Sequence, residues 1–196
     1  MNFEDLRHDV RVIQREHLPP TLAVDQLTEL LHQFISRVKL ASIQAFLESE
    51  ESNSRYHRYQ LSAPTDDFQI VLASWKPQSC SPVHDHDEAT GAVATLMGST
   101  METKYKRITN LGQYSLLKSG QTQVLQGRTI SPILPGDSDL QLHAMHNSQA
   151  TWAATLHIYL HPLTIFNVYR PKIWRLYTRT SETLWLDPVP AHALYR

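Results

Sequence analysis

Glycine is scarce in this chain. There are six in 196 residues, where ordinary usage near 7% would give roughly fourteen. Eleven histidines outnumber them. Cysteine is represented by Cys80 alone. That excludes an intramolecular disulfide framework and fits a cytoplasmic location. Neither charge is in excess: 18 Lys and Arg stand against 19 Asp and Glu, a net charge of −1. Nucleic-acid binding needs a cationic surplus to neutralise phosphates, so none is expected. No apolar run reaches the roughly 18 residues of a membrane span. Met1 to Val12 is charged throughout, without a signal-peptide core. We therefore expect one domain over residues 1–196, in no contact with a membrane. It is long enough to bury roughly two-thirds of its unfolded surface, and needs no disulfide or metal merely to fold.

Residues 1–50 have helical texture. Phe3, Leu6, Val10 and Ile13 recur at helical spacing, and Pro19-Pro20 interrupts them. Asp25 is the expected N-cap of a second helix, with Leu27, Leu30, Leu31, Phe34, Ile35 and Val38 along one face. The stripe fades through Ala41, Ala45 and Phe46, and Glu48 to Asn53 is a polar break. From residue 55 onward, short β-rich runs recur about every ten residues. They are Tyr56–Leu61, Phe68–Trp75, Gly91–Leu96, Glu102–Ile108, Thr122–Leu125, Ile130–Leu134, Asp139–Met145, Ala153–Tyr159 and Ile165–Tyr169. A weaker pair lies in Ile173–Arg179 and Thr183–Leu186. Such spacing predicts a mainly β sandwich or small barrel, with the N-terminal helices packed outside it. The aromatics of the C-terminal stretch, Trp174, Tyr177, Trp185 and Tyr195, are expected to serve as barrel packing.

Six histidines lie between residues 84 and 161. His84-Asp85-His86 is the tightest pair. On a strand, residues two apart share a face, so both imidazoles could meet one ion. A third ligand is sought in Leu142-His143-Ala-Met-His146-Asn147. His143 sits in an alternating run and is preferred, with His146 as a rim residue. In Thr155-Leu156-His157-Ile158-Tyr159 the three polar side chains alternate strictly with two aliphatics. That face could meet water, or could line a cavity as a hydrogen-bond chain. Tyr56, Arg58 and Gln60 also share one strand face. An inward arginine there would need an anion, such as a substrate carboxylate.

In order, Tyr56-x-Arg58, Pro82-Val-His84-Asp-His86, Gly91, Leu96-Met-Gly98-x-x-x-Glu102, Leu142-His143-x-x-x-Asn147 and Thr155-Leu-His157-Ile-Tyr159 span roughly Tyr56 to Pro162. Together they resemble the thiol dioxygenases of the cupin superfamily, most closely type I cysteine dioxygenase. The resemblance implies a cupin-type β-sandwich barrel. It implies His84, His86 and His143 as ligands of one Fe(II) per chain, with no organic cofactor. Arg58 would bind the substrate carboxylate, with Tyr56 beside it. Tyr159 would be the active-site tyrosine, backed by His157 and Thr155. Thr155 stands where the family pattern has Ser. Gly91 stands where some members carry a cysteine cross-linked to the tyrosine, so no Cys–Tyr cross-link is expected. Leu160-His161-Pro162 departs from the Ser-Pro-Pro of animal-type members.

On this resemblance the chain would add both atoms of O2 to the sulfur of L-cysteine, giving cysteine sulfinate. It would work as a monomer or weak homo-oligomer. Arg58 favours cysteine, since relatives acting on 3-mercaptopropionate usually carry Gln there. The alternatives are a dioxygenase of another small thiol carboxylate (3-mercaptopropionate or mercaptosuccinate), or a non-catalytic metal- or ligand-binding cupin. Three neutral imidazoles also suit Zn(II) with a bound water.

Overall fold

The computed structural model describes residues 1–48, 56–136 and 141–189. Three helices come first: α1 (Phe3–Arg15), α2 (Pro20–Arg37) and α3 (Leu40–Glu48). The Asn2 side chain accepts from the Asp5 N–H, and the Asp5 carboxylate accepts from the Asn2 N–H. This reciprocal cap pairs donors that the first turn of α1 would leave open. The second helix begins five residues before the expected cap at Asp25, on Pro20. Proline at the first helical position has its φ preset and lacks only an N–H that would be unpaired there anyway. The proline pair that separates the two helices therefore also starts the second. Val38 is extended, so Ala41, Ala45 and Phe46 belong to a separate α3 rather than to a fading α2.

The strands are β1 (Tyr56–Gln60), β2 (Gln69–Trp75), β3 (Val83–His84), β4 (Gly91–Met97), β5 (Ser99–Leu111), β6 (Tyr114–Gln126), β7 (Ile130–Ile133), β8 (Leu142–His146), β9 (Ala153–Tyr159), β10 (Ile165–Ile173), β11 (Leu176–Thr183) and β12 (Asp187–Pro188). One six-stranded sheet has the order β12-β1-β2-β9-β4-β7. The other runs β10-β11-β6-β5-β8-β3 and closes where β3 pairs with β10. The protein is thus a mainly β sandwich barrel with three helices outside it.

Several boundaries differ from the sequence reading. The β5–β6 ribbon is far longer than Glu102–Ile108 and Thr122–Leu125. Ile108–Leu111 of β5 and Lys118–Val124 of β6 are exposed on both faces, so these stretches have no apolar alternation to reveal them. Gly112 (φ +64°) turns the ribbon. The C-terminal pair is a β10–β11 hairpin, and residues 184–186 lie outside any strand. Trp174 and Trp185 are 81% and 79% exposed, so neither packs the barrel as expected. Among the described residues of that aromatic set, only Tyr177 packs inward, against Tyr105. The expected strand over Asp139–Met145 begins at Leu142 among the described residues, and Asp139 and Leu140 lie outside them. So do residues 49–53 of the polar break, His192 and Tyr195.

The helices cover the outer face of the first sheet. Leu6, Leu27 and Phe34 join Ile70, Leu72, Ala92, Ala94, Leu156 and Ile158 in one buried cluster. A second cluster fills the space between the sheets, with Val71, Trp75, Val93, Met145, Tyr159 and Phe166. The aliphatic face of β9 is therefore the one under the helices. Its polar face looks into the barrel, where it is buried.

Arg7 and Arg11 of α1 both bind the Asp66 carboxylate, at 2.6 and 2.7 Å. Burial works against the charge on Asp66. Hydrogen bonds from Arg7, Arg11 and the Ala63 N–H outweigh it and hold the carboxyl at about 2. A pKa lowered by folding stabilises fully above the unfolded value of about 3.9, and the gain is lost as pH falls through the folded value. Asp66→Asn should therefore cost about 1–3 kcal/mol near neutral pH. In urea titrations the gap to wild type should close as pH falls from about 4 toward 2. A gap that persisted at the acid end would mean that the charge on Asp66 is not what stabilises the clamp.

Candidate metal centre and active site

Strand β3 is only two residues long, and His84 at its end faces His143 directly across the β3–β8 ladder. His86 lies beyond that strand, at the start of a turn where the Ala89 N–H donates to its carbonyl at 3.0 Å. Up to His86 the chain keeps pairing with β10, since Asp85 continues the β3–β10 pairing opposite Asn167, and it turns only after His86. The two histidines, two residues apart, converge on one point as their spacing suggested. Asp85 pins this stretch. Its buried carboxylate accepts from the Asn167 N–H (2.8 Å), Asn167 Nδ2 (2.9 Å) and the Tyr169 hydroxyl (3.0 Å). Its own N–H donates to the Asn167 carbonyl at 3.1 Å. One residue is thus tied to β10 through both backbone and side chain, and no sequence pattern pointed to Asp85 as the pin.

The three rings are oriented alike. His84 Nδ1 donates to the Pro82 carbonyl (3.0 Å), and His86 Nδ1 to that of Gln141 (2.8 Å). His143 Nδ1 donates to Glu102 Oε1 (2.5 Å). With each Nδ1 donating, each neutral ring offers an Nε2 lone pair. His84 Nε2 and His143 Nε2 face each other at 3.2 Å. Among the described residues His86 Nε2 is buried without a hydrogen-bond partner. Two lone pairs at that distance, and a third orphaned beside them, call for a cation. The ligand atoms all lie within 4.8 Å of one another, so the set could hold one metal ion. Burial first, and mutual repulsion second, hold His84 and His86 well below their ordinary pKa. The rings are thus kept in the neutral, ligating form. Half-buried His146 lies outside this cluster, opposite Cys80 across an isolated bridge. His161 is exposed.

Glu102 is the residue whose importance the sequence hid. It belongs to the motif cited above, but nothing in its spacing assigned it a task. It is fully buried and accepts from Ser131 (2.6 Å), Gln123 (2.8 Å) and Lys104 (2.9 Å) besides His143. Burial would raise its pKa, but His143, Lys104 and Ser131 outweigh that and hold it far below the usual carboxylate range. A charged carboxylate on Nδ1 orients the ring and makes Nε2 a better donor to a metal. Glu102→Gln should weaken metal binding by about 10–100-fold, measured by competition with a chelator. An unchanged affinity would leave Glu102 with a packing role only.

Beside the three histidines is a small cavity, about 30 Å³ measured as the space open to the centre of a water-sized sphere. That is room for a small molecule, since one water takes roughly 10–15 Å³ on this measure. Tyr56, Arg58, Trp75, His84, His157, Tyr159 and Phe166 are among its walls. So the sequence-chosen residues of β1 and β9 meet the histidines in one place. Thr155 lies behind the wall and reaches it through His157. Gln60 lines a separate outer groove instead. The Arg58 guanidinium lies over the Tyr56 and Phe166 rings, 5.5 and 5.7 Å from their centroids. Among the described residues no carboxylate lines the cavity. Tyr159 sits 5.7 Å from the His86 ring, centroid to centroid. Burial pushes its pKa far above the ordinary 10, against a weaker opposing pull from Arg58, so the phenol keeps its proton.

Gly91 pairs with Tyr159 across the β4–β9 ladder. A Cβ there would collide with the Ile158 carbonyl oxygen. The close approach of these strands needs a residue without a side chain at this position.

The model of the family "Cysteine dioxygenase type I" matches residues 13–172. Solved structures with a similar backbone include the cupin domain of an XRE family transcriptional regulator from Enterobacter cloacae. It is 17% identical, covers 56% of this chain and 99% of that one, and has a TM-score of 0.41. The cupin domain of Schizosaccharomyces pombe Cnp3 is 10% identical, covers 59% and 72%, and scores 0.43. Oxalate oxidase with the substrate analogue glycolate is 15% identical, covers 59% and 60%, and scores 0.43. Among the described residues no helix is long and apolar enough to cross a membrane. With the family model running from the end of α1 to the end of β10 and including the three-histidine cluster, the chain belongs to the cysteine dioxygenase type I family.

Proposed function

We propose that the protein is a non-haem Fe(II) thiol dioxygenase that converts L-cysteine and O2 to cysteine sulfinate. The observation that carries this is the trio of Nε2 atoms facing one point with every Nδ1 spent elsewhere. Family membership supports thiol dioxygenation as the reaction class. His84, His86 and His143 would hold one Fe(II) per chain. Bound there, the metal would favour the thiolate form of the substrate and supply the redox chemistry that joins sulfur to O2. A donor set without a carboxylate leaves the anionic ligand to come from the substrate.

The chain's own residues account for the rest. Arg58 meets the carboxylate and turns a random encounter into an oriented one. Tyr56 and Phe166 flank that guanidinium and keep it from swinging away. Tyr159, protonated, offers a hydrogen bond where negative charge grows on oxygen. His157 and Thr155 hold the tyrosine from behind. Both oxygen atoms end on sulfur, so the balance closes with thiol and O2 alone. No organic cofactor, outside reductant or Cys–Tyr cross-link takes part. One chain carries every residue of the site, in keeping with a monomer or weak homo-oligomer. A cytoplasmic location would keep the thiol substrate reduced.

A thiol carboxylate without an amine, such as 3-mercaptopropionate, is the second reading. It is favoured by the lack, among the described residues, of a lining carboxylate to meet an ammonium group. The test is to load the protein with Fe(II) under anaerobic conditions, add thiol and O2, and follow oxygen uptake and sulfinate. Faster turnover of cysteine supports the first reading, and of 3-mercaptopropionate the second. No uptake with these or with mercaptosuccinate rejects both.

A further inference from the structure

The polar face of β9 has a fourth member that its sequence spacing did not reveal. Trp75 of β2 donates its Nε1–H to Thr155 Oγ1 at 2.8 Å. Thr155 Oγ1 lies 2.9 Å from His157 Nε2, and His157 Nδ1 lies 3.3 Å from the Tyr159 hydroxyl. We propose that Trp75 is a positioning residue that sets the direction of this chain. It holds His157 in the tautomer protonated at Nδ1, and so leaves the Tyr159 proton free to point into the cavity. The inference deepens the active-site reading above and rests on it for its purpose.

Donors and acceptors fix the sense of the chain. An indole N–H can only donate, so Thr155 accepts from Trp75. The hydrogen of the Thr155 hydroxyl must then go elsewhere. Thr155 is fully buried, and among the described residues its other side-chain partner at hydrogen-bond distance is His157 Nε2. Buried hydroxyls rarely leave their hydrogen unpaired, so Nε2 accepts it. Burial, aided by the repulsion of His143 and Arg58, holds His157 at about 3, so the ring is neutral. A neutral imidazole with an accepting Nε2 carries its hydrogen on Nδ1. That hydrogen points at the Tyr159 oxygen, which accepts it. The phenol proton is then the one hydrogen of the chain not consumed inside it.

The opposite sense fails at Thr155. There Tyr159 would donate to Nδ1, and Nε2–H would donate to the threonine. Two donors would face one hydroxyl whose own hydrogen had no acceptor. Tyr159 would also have spent its proton on His157 and have none for a substrate. A Thr–His–Tyr row alone could run either way. The obligate donor at its far end removes the choice.

The tautomer can be read without turnover, so a protein inactive on every thiol would still decide the question. Long-range proton–nitrogen NMR on zinc-loaded, 15N-labelled protein distinguishes the two forms. Loss of the signal in His157→Gln assigns it. Wild type should show one His157 tautomer, with the hydrogen on Nδ1. Trp75→Phe keeps an aromatic ring against Tyr56, with which Trp75 stacks at 4.7 Å, but removes the donor. It should give a mixture of tautomers and lower kcat by on the order of tenfold, the worth of about one hydrogen bond, with little change in KM. Thr155→Val should do the same, and Thr155→Ser should restore the wild-type tautomer. A wild-type ring protonated at Nε2, or a tautomer unmoved by Trp75→Phe, would overturn the proposal.

Discussion

Replacing His143 with Ala is expected to strip the protein of its metal and its activity together, whereas His146→Ala should keep most of both. The two histidines are three residues apart on one strand, so they point to opposite faces of it. His143 turns its Nε2 to within 3.2 Å of His84 Nε2. His146 lies outside the cluster. Losing one of three neutral nitrogen ligands leaves two, and binding should fall well beyond the roughly 10–100-fold expected for a supporting residue such as Glu102. Metal content after dialysis against a fixed Fe(II) concentration, measured by elemental analysis, checks both variants. A metal-free His146→Ala beside an occupied His143→Ala would move the third ligand along β8 and reassign the site. The control matters for stability as well. His143 is fully buried and its partner Glu102 would be left charged and short of a donor. His143→Gln, which keeps polar atoms there, separates loss of metal from loss of fold.

Arg58→Ala should have the second large effect, and it should depend on the substrate. For cysteine, kcat/KM is expected to fall by about 10²–10³-fold, the cost of roughly 3–4 kcal/mol when a charge pair in a closed site loses one partner. For cysteamine, which has the thiol and amine but no carboxylate, the change should stay within about threefold. The contrast follows from the cavity. Among the described residues, Arg58 is the one permanently charged side chain lining it. Its stacking on Tyr56 and Phe166 fixes the guanidinium without neutralising it. Equal losses for both thiols would show that Arg58 shapes the wall and does not read the carboxylate.

These expectations differ in how early they can be drawn. The histidine pair, the alternation of β9 and the Tyr-x-Arg of β1 are local periodicities, visible before any fold is known. A strand repeats every two residues, so the sequence says which side chains share a face. It does not say which face is inside. Thr155, His157 and Tyr159 could equally have met water. The helical layer decides otherwise, because it takes Leu156 and Ile158 as its floor and turns the polar row inward. The same limit applied to Trp174 and Trp185. Their size suggested packing, but they sit at a hairpin tip and beyond the end of β11, where no layer covers them.

Contacts between distant segments were beyond reach for a different reason. Glu102 and His143 are 41 residues apart, and Trp75 and Thr155 are 80 apart. No local repeat relates such pairs. They meet because β5 pairs with β8 and β2 with β9. His84 and His86 show the boundary between the two kinds of knowledge. Their identity and their closeness along the chain were written in the sequence. Their meeting with His143 depends on β3 being fixed between β8 and β10, where Asp85 is held by Asn167 and Tyr169. By itself the sequence determined the element types, the family resemblance and the chemical inventory, because these depend on short-range periods and on residue identity. The tertiary structure alone decided which faces became interior, which carboxylate orients a ligand and which indole directs the β9 chain, because those depend on how strands far apart in sequence are brought into register.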